Sequence, residues 1–174
     1  MKISVEKTIE ILKKGGVVVY PTDTVDGLGA NALDEKAVRK VFEIKKRDFK
    51  KPISIIVRDL EMAKQVANFD KDTEKILKKI FPGPVTAILY KKKILPDILT
   101  GGSNKVGIRI PDCKFTQALM QELDFPITTT SANISGEPIK GQPSTVVDLT
   151  GPEPKILRIG PVTKHELKKI FSNL

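Results

Sequence analysis

The sequence predicts an α/β fold, a single domain over residues 1–174 built on a mixed β-sheet with flanking helices. Short apolar, β-branched stretches alternate along the chain with segments whose apolar residues recur at three- and four-residue spacing. No internal repeat or linker interrupts this alternation. The content of 40% hydrophobic and 29% charged residues is that of an ordinary soluble globular protein.

Most of the predicted helices begin at a small polar residue, which caps the helix by accepting a hydrogen bond from a backbone amide. They cover residues 4–14, 34–45, 59–67, 70–81 or 72–81, 113–123 and 163–174. In the last of them Thr163 and Glu166 form a capping box, and Leu174 belongs to its apolar face. The predicted strands cover residues 17–20, 52–57, 85–90, 105–110, 127–130, 146–149 and 155–159.

The first predicted strand, residues 17–20, leads into the most distinctive stretch of the chain. Its apolar, β-branched residues predict a strand buried on both faces, and Pro21 should end its pairing because proline has no amide hydrogen. Hydroxyl-bearing residues follow, and then Gly27 and Gly29, which would let a ligand or another backbone approach closely. The stretch is either a ligand site at a strand end or a plain polar loop.

Composition excludes several kinds of protein and site. No apolar run approaches the ~20 residues of a membrane span, and no signal-peptide core is present, so we expect a cytoplasmic protein. A single cysteine, Cys113, and a single histidine, His165, exclude an internal disulfide and a multi-cysteine zinc site. P-loop and Rossmann glycine motifs are missing. The net charge of +9 favours an anionic partner, although most lysines would simply keep the surface solvated.

The predicted strand 105–110 places two cations on one face. Alternate residues of a strand share a face, so Val106 and Ile108 should point to the core while Lys105, Gly107 and Arg109 point the other way. The glycine leaves room above the sheet between the two cations. Arg109 suits bidentate recognition of a carboxylate or phosphate, unless this is an ordinary half-exposed strand.

Two further groups of polar residues are candidates for ligand binding. Thr129, Ser131 and Asn133 share a face at the end of a strand, where they could hold a substrate or could merely stabilise the following turn. Lys45 and Arg47 would align on an anion only if the chain leaves its helix between them. Otherwise they form a basic helix end that is favoured by the helix dipole.

Taken together, these segments resemble the YrdC-like family, the threonylcarbamoyl-adenylate synthases. The family-like segments, in order, are 20–29 (YPTDTVDGLG), 45–47 (KKR), 106–111 (VGIRIP), 131–133 (SAN) and 143–148 (PSTVVD). They extend over nearly the whole chain in the family's order. The resemblance implies a twisted mixed sheet curved around a positively charged cavity.

The resemblance also implies an activity. L-Threonine, bicarbonate and ATP, with Mg²⁺, would become threonylcarbamoyl-AMP and pyrophosphate, a nucleotidyltransferase reaction. The product would feed threonylcarbamoyl-adenosine synthesis on tRNA through a separate tRNA threonylcarbamoyl transferase. The implied threonine-binding residues are Thr24, Arg109, Thr129 and Ser144, and the implied ATP-binding residues are Arg47, Lys51, Lys105, Ser131 and Arg158. The signature residues Lys45, Arg47, Ser131 and Asn133 form the expected catalytic set, whereas the metal ligands are not identified.

The sequence departs from the family pattern in three places. Asp26 stands where the family usually has tyrosine, and its carboxylate would either help to hold Mg²⁺ or repel substrate. The segment between Asn133 and Ser144 is shorter than usual. The chain ends at Leu174, so we expect it to lack the C-terminal domain of the longer family form.

Two other functions fit the same charge. One is a double-stranded RNA- or tRNA-binding protein without catalysis, and the other is a carbamoyl-adenylating relative that uses carbamoyl phosphate. The hydroxyl and amide groups of the candidate sites favour a small substrate over RNA, and a low aromatic content of 5% gives little support for base stacking.

Overall fold

A computed structural model describes residues 4–172, so the predicted apolar position Leu174 lies outside the described residues. The helices are α1 (Val5–Lys13), α2 (Glu35–Lys45), α3 (Leu60–Val66), α4 (Lys71–Ile80), α5 (Lys114–Gln121) and α6 (Lys164–Ser172), with a 3-10 turn at Asp97–Thr100. The strands are β1 (Val18–Tyr20), β2 (Gly27–Gly29), β3 (Ser54–Ile56), β4 (Ala67–Asn68), β5 (Val85–Lys91), β6 (Lys105–Arg109), β7 (Ile127–Ser131), β8 (Thr145–Asp148) and β9 (Lys155–Arg158).

The strands form one mixed sheet in the order β1-β2-β7-β3-β6-β5-β8-β9, and β4 pairs with β5. β3 runs parallel to β6, and β5 runs parallel to β8. The other pairs are antiparallel. Ile55, Ala87 and Ile108 on the central strands are fully buried. The predicted mixed α/β fold is therefore confirmed.

The helix starts follow the capping residues predicted from the sequence. Asp70, and not Asp72, caps α4, since its carboxylate accepts a hydrogen bond of 2.8 Å from the backbone amide of Thr73. The capping box of α6 is formed, because the amide of Thr163 donates to Glu166 Oε2 at 2.7 Å. The amide of Glu166 donates in return to Thr163 Oγ1 at 3.3 Å. Within residues 4–172, no helix has the length and apolar character needed to cross a membrane.

The prediction that the first strand is buried on both faces is wrong. Val18 and Tyr20 are 5% and 0% exposed, but Val19 between them is 50% exposed. β1 is the outermost strand of its sheet edge, and only one of its faces is covered. The run of β-branched residues therefore predicted a strand correctly, but it did not show that one face of this strand is exposed to solvent.

The glycines of β2 have a partner that the sequence did not suggest, the ring of Tyr20. A Cβ atom on Gly27 would lie 2.7 Å from Cζ of Tyr20, and one on Gly29 would lie 2.6 Å from Cε1 of the same ring. The ring of Tyr20 lies across both positions, and its hydroxyl donates to the carbonyl of Thr128 at 3.0 Å. The two glycines thus make room for an aromatic side chain of this chain, which pins the β1–β2 hairpin to β7.

Candidate functional site

One face of the sheet carries a cavity of about 320 Å³, at the lower end of the range for small-molecule sites. Its wall crosses the sheet from β2 to β9, with the turn before β2 and the loop before β8 at its margin. The structure brings seven predicted residues into this wall, namely Thr24, Arg47, Arg109, Thr129, Ser131, Ser144 and Arg158. Its charged lining side chains are three arginines, and no acidic side chain of the described residues joins them. The cavity therefore suits an anionic ligand.

Arg109 lies at the end of β6 and is 4% exposed, on the face that alternation along the strand predicted. Its Nε donates to the carbonyl of Gly83 at 3.1 Å, and its Nη1 donates to Thr24 Oγ1 at 2.7 Å. Its Nη2 donates to a carboxylate oxygen of Asp23. Burial lowers the pKa of Arg109, and the charge of Asp23 opposes that effect. The guanidinium is held rigidly from three directions.

Asp23 does not line the cavity but pairs with Arg109, a role that the sequence did not single out. Alternation along an extended chain would put it on the side opposite Thr22 and Thr24, but residues 23–25 form a bend. Thr22 Oγ1 accepts a hydrogen bond from the amide of Thr24 at 3.1 Å and donates to the carbonyl of Val25 at 2.8 Å. Thr116 Oγ1 of α5 donates to Pro21 at 2.6 Å and fixes the start of the bend. Both Asp23 and Thr24 consequently reach Arg109.

Ser144 and Arg158 form the opposite side of the wall as one unit. Arg158 donates from Nε and Nη2 to the carbonyl of Ser144 at 3.0 and 2.8 Å. The hydroxyl of Ser144 is 2.8 Å from that of Thr86 on β5. Arg158 lines the cavity from β9, a largely exposed strand, and the partial burial of its guanidinium lowers its pKa. These contacts bring a hydroxyl pair and a cation to the same place.

Lys45 and Arg47 point to different partners. α2 ends at Lys45, and Lys46 adopts the left-handed conformation with φ of 49°, so the chain turns before Arg47. Arg47 then lines the cavity, with its Nε and Nη2 donating to the carbonyls of Lys51 and Pro52 at 3.1 and 3.0 Å. Of these two cations, Arg47 lines the cavity, whereas the amine of Lys45 binds backbone carbonyls of the protein.

The amine of Lys45 is buried against the loop that follows β7. It donates to the carbonyl of Ser131, to that of Asn133 at 2.6 Å and to Asn133 Oδ1 at 3.3 Å. Asn133 donates from Nδ2 to the carbonyl of Glu137 at 2.8 Å and does not reach the cavity wall. Asn133 therefore makes the contacts of the turn interpretation, while Thr129 and Ser131 of the same predicted group line the cavity.

Lys51 and Lys105 lie outside the cavity wall. Lys51 is exposed, and Lys105 forms an ion pair with Asp148 at 3.0 Å. Alternation gives the face of a residue but not its position along the strand. Lys105 and Arg109 are four residues apart, which is about 13 Å along a strand, and the cavity reaches only the second of them.

Comparison with known proteins identifies the family. The profile of the Sua5/YciO/YrdC family, described as "Telomere recombination", matches residues 10–140. The chain belongs to this family. Its fold is thus that of the Sua5/YciO/YrdC family, as the sequence motifs led us to expect.

Two relatives and one solved structure show how close the similarity is. A putative threonylcarbamoyl-AMP synthase of Methanocaldococcus jannaschii is 47% identical over 149 residues, which cover 83% of this chain and 68% of that protein. The threonylcarbamoyl-AMP synthase of Pyrococcus abyssi is 33% identical, over 94% of this chain and 56% of the relative. The structure of Pyrococcus abyssi Sua5 complexed with L-threonine matches with a TM-score of 0.91 and 33% identity, over 98% of this chain and 58% of that one. This chain therefore spans little more than half the length of the Pyrococcus protein.

Asp26 lies away from the cavity wall, and the described residues contain no acidic cluster that could hold a metal ion. Asp26 is exposed and outside the cavity wall, and its backbone carbonyl accepts a hydrogen bond of 2.9 Å from the amide of Ala132. In the described part of the chain, no group of three or more histidine, cysteine or acidic residues could hold a metal ion.

The floor of the cavity depends on the absence of a side chain at Gly107. A Cβ atom there would lie 2.3 Å from Ser54 Oγ and 3.1 Å from Thr86 Cγ2, and both side chains line the cavity. We expect Gly107→Ala to push Ser54 into the cavity, to lower the free energy of unfolding by about 1–3 kcal/mol and to weaken ligand binding. Urea unfolding and calorimetric titration measure the two effects. Gly151→Ala is the matched control, since its Cβ would meet only Glu153 O at 3.6 Å. Equal behaviour of the two variants would contradict this account.

Proposed function

We propose that this chain is an L-threonylcarbamoyladenylate synthase, which converts L-threonine, bicarbonate and ATP to threonylcarbamoyl-AMP, pyrophosphate and water. The observation that carries the proposal is the convergence of three arginines and several hydroxyl groups on one cavity. The 33% identity to a Pyrococcus abyssi protein whose structure holds L-threonine supports the choice of amino acid.

The amino acid would lie at the Arg109 end of the cavity. Arginine carries five N–H donors, and protein groups accept from three of them. The remaining two can bind the carboxylate of threonine as a bidentate pair. Thr24, Thr129 and Ser144 would then supply neutral hydrogen-bonding groups around the hydroxyl and amino groups of the substrate.

The triphosphate would lie nearer Arg47, Ser131 and Arg158. Arg47 has three N–H donors left after its two bonds to the backbone, which can meet phosphate oxygens. Lys51 and Lys105 would act from outside the wall by adding to the positive field that attracts ATP. Lys45 and Asn133 would act through the protein, by fixing the loop on which Ser131 lies.

The chemistry needs positioning more than a protein nucleophile. Attack of the threonine amine on the carbon of bicarbonate gives a carbamate with loss of water. A carbamate oxygen then attacks the α-phosphorus of ATP, and the bond to the pyrophosphate leaving group breaks. The arginines hold the two anionic reactants together and stabilise the charge that develops on the leaving group. Arg47 is partly buried, which strengthens its interactions because water screens them less.

Mg²⁺ would reach the cavity already bound to ATP, so it would be part of the substrate. The product would pass to a separate tRNA threonylcarbamoyl transferase in the cytoplasm, where ATP and tRNA are both available. Residues 1–174 would form the single domain that performs this step.

A pyrophosphate-release assay tests the proposal. The protein is incubated with ATP, bicarbonate, Mg²⁺ and L-threonine, and we expect release of pyrophosphate that depends on both threonine and bicarbonate. Release that requires carbamoyl phosphate instead would favour the carbamoyl-adenylating alternative. No turnover, together with double-stranded RNA binding that falls steeply with salt, would favour an RNA-binding protein.

A further inference from the structure

The carboxylate of Asp23 has an unusual environment. It forms an ion pair with Arg109, and the two side chains are only 13% and 5% exposed. Its second oxygen, Oδ2, is buried and has no hydrogen-bond partner, and it is the one such side-chain atom within residues 4–172. One of the two carboxylate oxygens of Asp23 therefore accepts no hydrogen bond from the protein, although it is shielded from water.

Local stability does not explain this arrangement. A buried polar atom without a partner is unfavourable, because it loses its hydrogen bonds to water and gains none. Three neutral or anionic acceptors already hold the guanidinium, and two of them, the carbonyl of Gly83 and the hydroxyl of Thr24, carry no charge. The distinct contribution of Asp23 is therefore its negative charge, which makes the Arg109 end of the cavity neutral overall.

We propose that Asp23 makes this end of the cavity selective for a zwitterionic amino acid over a carboxylic acid that lacks an ammonium group. The inference rests on the proposed function, in which Arg109 binds the carboxylate of the substrate. A simple carboxylate would bring an uncompensated negative charge beside Asp23. An amino acid brings its own positive charge and keeps the site neutral, which matters because charges interact strongly in a poorly hydrated site.

A role of Asp23 in packing alone would have a different consequence. If Asp23 only holds Arg109 in place, its loss should weaken all carboxylate ligands by a similar factor. If its charge selects the ligand, its loss should weaken the preference for the amino acid and improve binding of the acid without the ammonium group. The ratio of the two affinities separates these roles.

The test compares L-threonine with (R)-3-hydroxybutyrate, which is threonine with hydrogen in place of the amino group. Calorimetric titrations give both dissociation constants for the wild-type chain and for Asp23→Asn, which keeps the accepting oxygen for Arg109 but removes the charge. We expect the preference for threonine to fall about tenfold or more in Asp23→Asn. Asp23→Glu keeps the charge and should keep most of the preference, even if both ligands bind more weakly. Asp124→Asn, an equal loss of charge at an exposed position, should leave the preference unchanged.

An unchanged affinity ratio in Asp23→Asn would overturn the inference, as would an equal loss of preference in Asp23→Glu. Thermal unfolding of each variant shows whether the chain is folded under the conditions of the titration. A wild-type chain that binds neither threonine nor ATP would instead contradict the proposed function. The two failures are therefore distinguishable.

Discussion

Replacing Arg109 with alanine is expected to abolish measurable threonine binding and to lower the free energy of unfolding by about 3–5 kcal/mol. The first effect follows because the variant lacks the two N–H groups that remain for the substrate carboxylate. The second follows because the carboxylate of Asp23, only 13% exposed, would be left without its positive partner. Calorimetric titration with threonine and urea unfolding measure the two effects separately.

The double variant Arg109→Ala/Asp23→Asn separates binding from stability. Removing the charge of Asp23 as well should recover a large part of the lost stability, because no unpaired charge then remains buried. Threonine binding should not return. Arg109→Lys keeps the charge without the planar fork, so it should bind threonine weakly and unfold close to the wild type. Wild-type threonine affinity in either Arg109 variant would contradict the proposal that threonine binds at the Arg109 end of the cavity.

The position of Arg109 could be predicted because a strand imposes a strict alternation of side chains. Val106 and Ile108 identify the covered face of β6, and Arg109 then has to lie on the other. The same alternation grouped Lys105 with Arg109, and it could not show that the cavity ends before Lys105. The length of a cavity depends on neighbouring strands and loops, which come from distant parts of the sequence.

Bends are the places where prediction from the sequence failed. The partners of Asp23 follow from hydrogen bonds within residues 22–25 and from the contact of Thr116 with Pro21, and no periodic pattern encodes them. The sequence did not predict β2 because glycine is rare in strands. Its two glycines make room for the ring of Tyr20. Helix caps could be predicted well, since a cap depends on residues within one turn of each other.

Arg47→Ala should produce the largest loss of nucleotide affinity that a single substitution can cause in this cavity. Arg47 follows the turn at Lys46, and its partners Lys51 and Pro52 accept through backbone carbonyls at an exposed segment. Water can replace Arg47 at those carbonyls, so we expect the variant to fold with nearly wild-type stability. Each charge-assisted hydrogen bond to a phosphate is worth about 1.5–3 kcal/mol, so the loss of two should weaken ATP binding by roughly 100-fold or more.

The specificity of that effect distinguishes a contact with ATP from a general loss of positive charge. Lys50→Ala removes the same charge from an exposed position in the same segment, and it should change ATP affinity by about threefold at most. Titration with a non-hydrolysable ATP analogue at two salt concentrations measures both variants. Because the proposal places threonine and ATP at separate ends of the cavity, Arg47→Ala should leave threonine affinity without nucleotide within about threefold of the wild type. A similar loss of ATP affinity in Lys50→Ala and Arg47→Ala would mean that ATP is attracted only by the overall positive charge of the protein and does not contact Arg47.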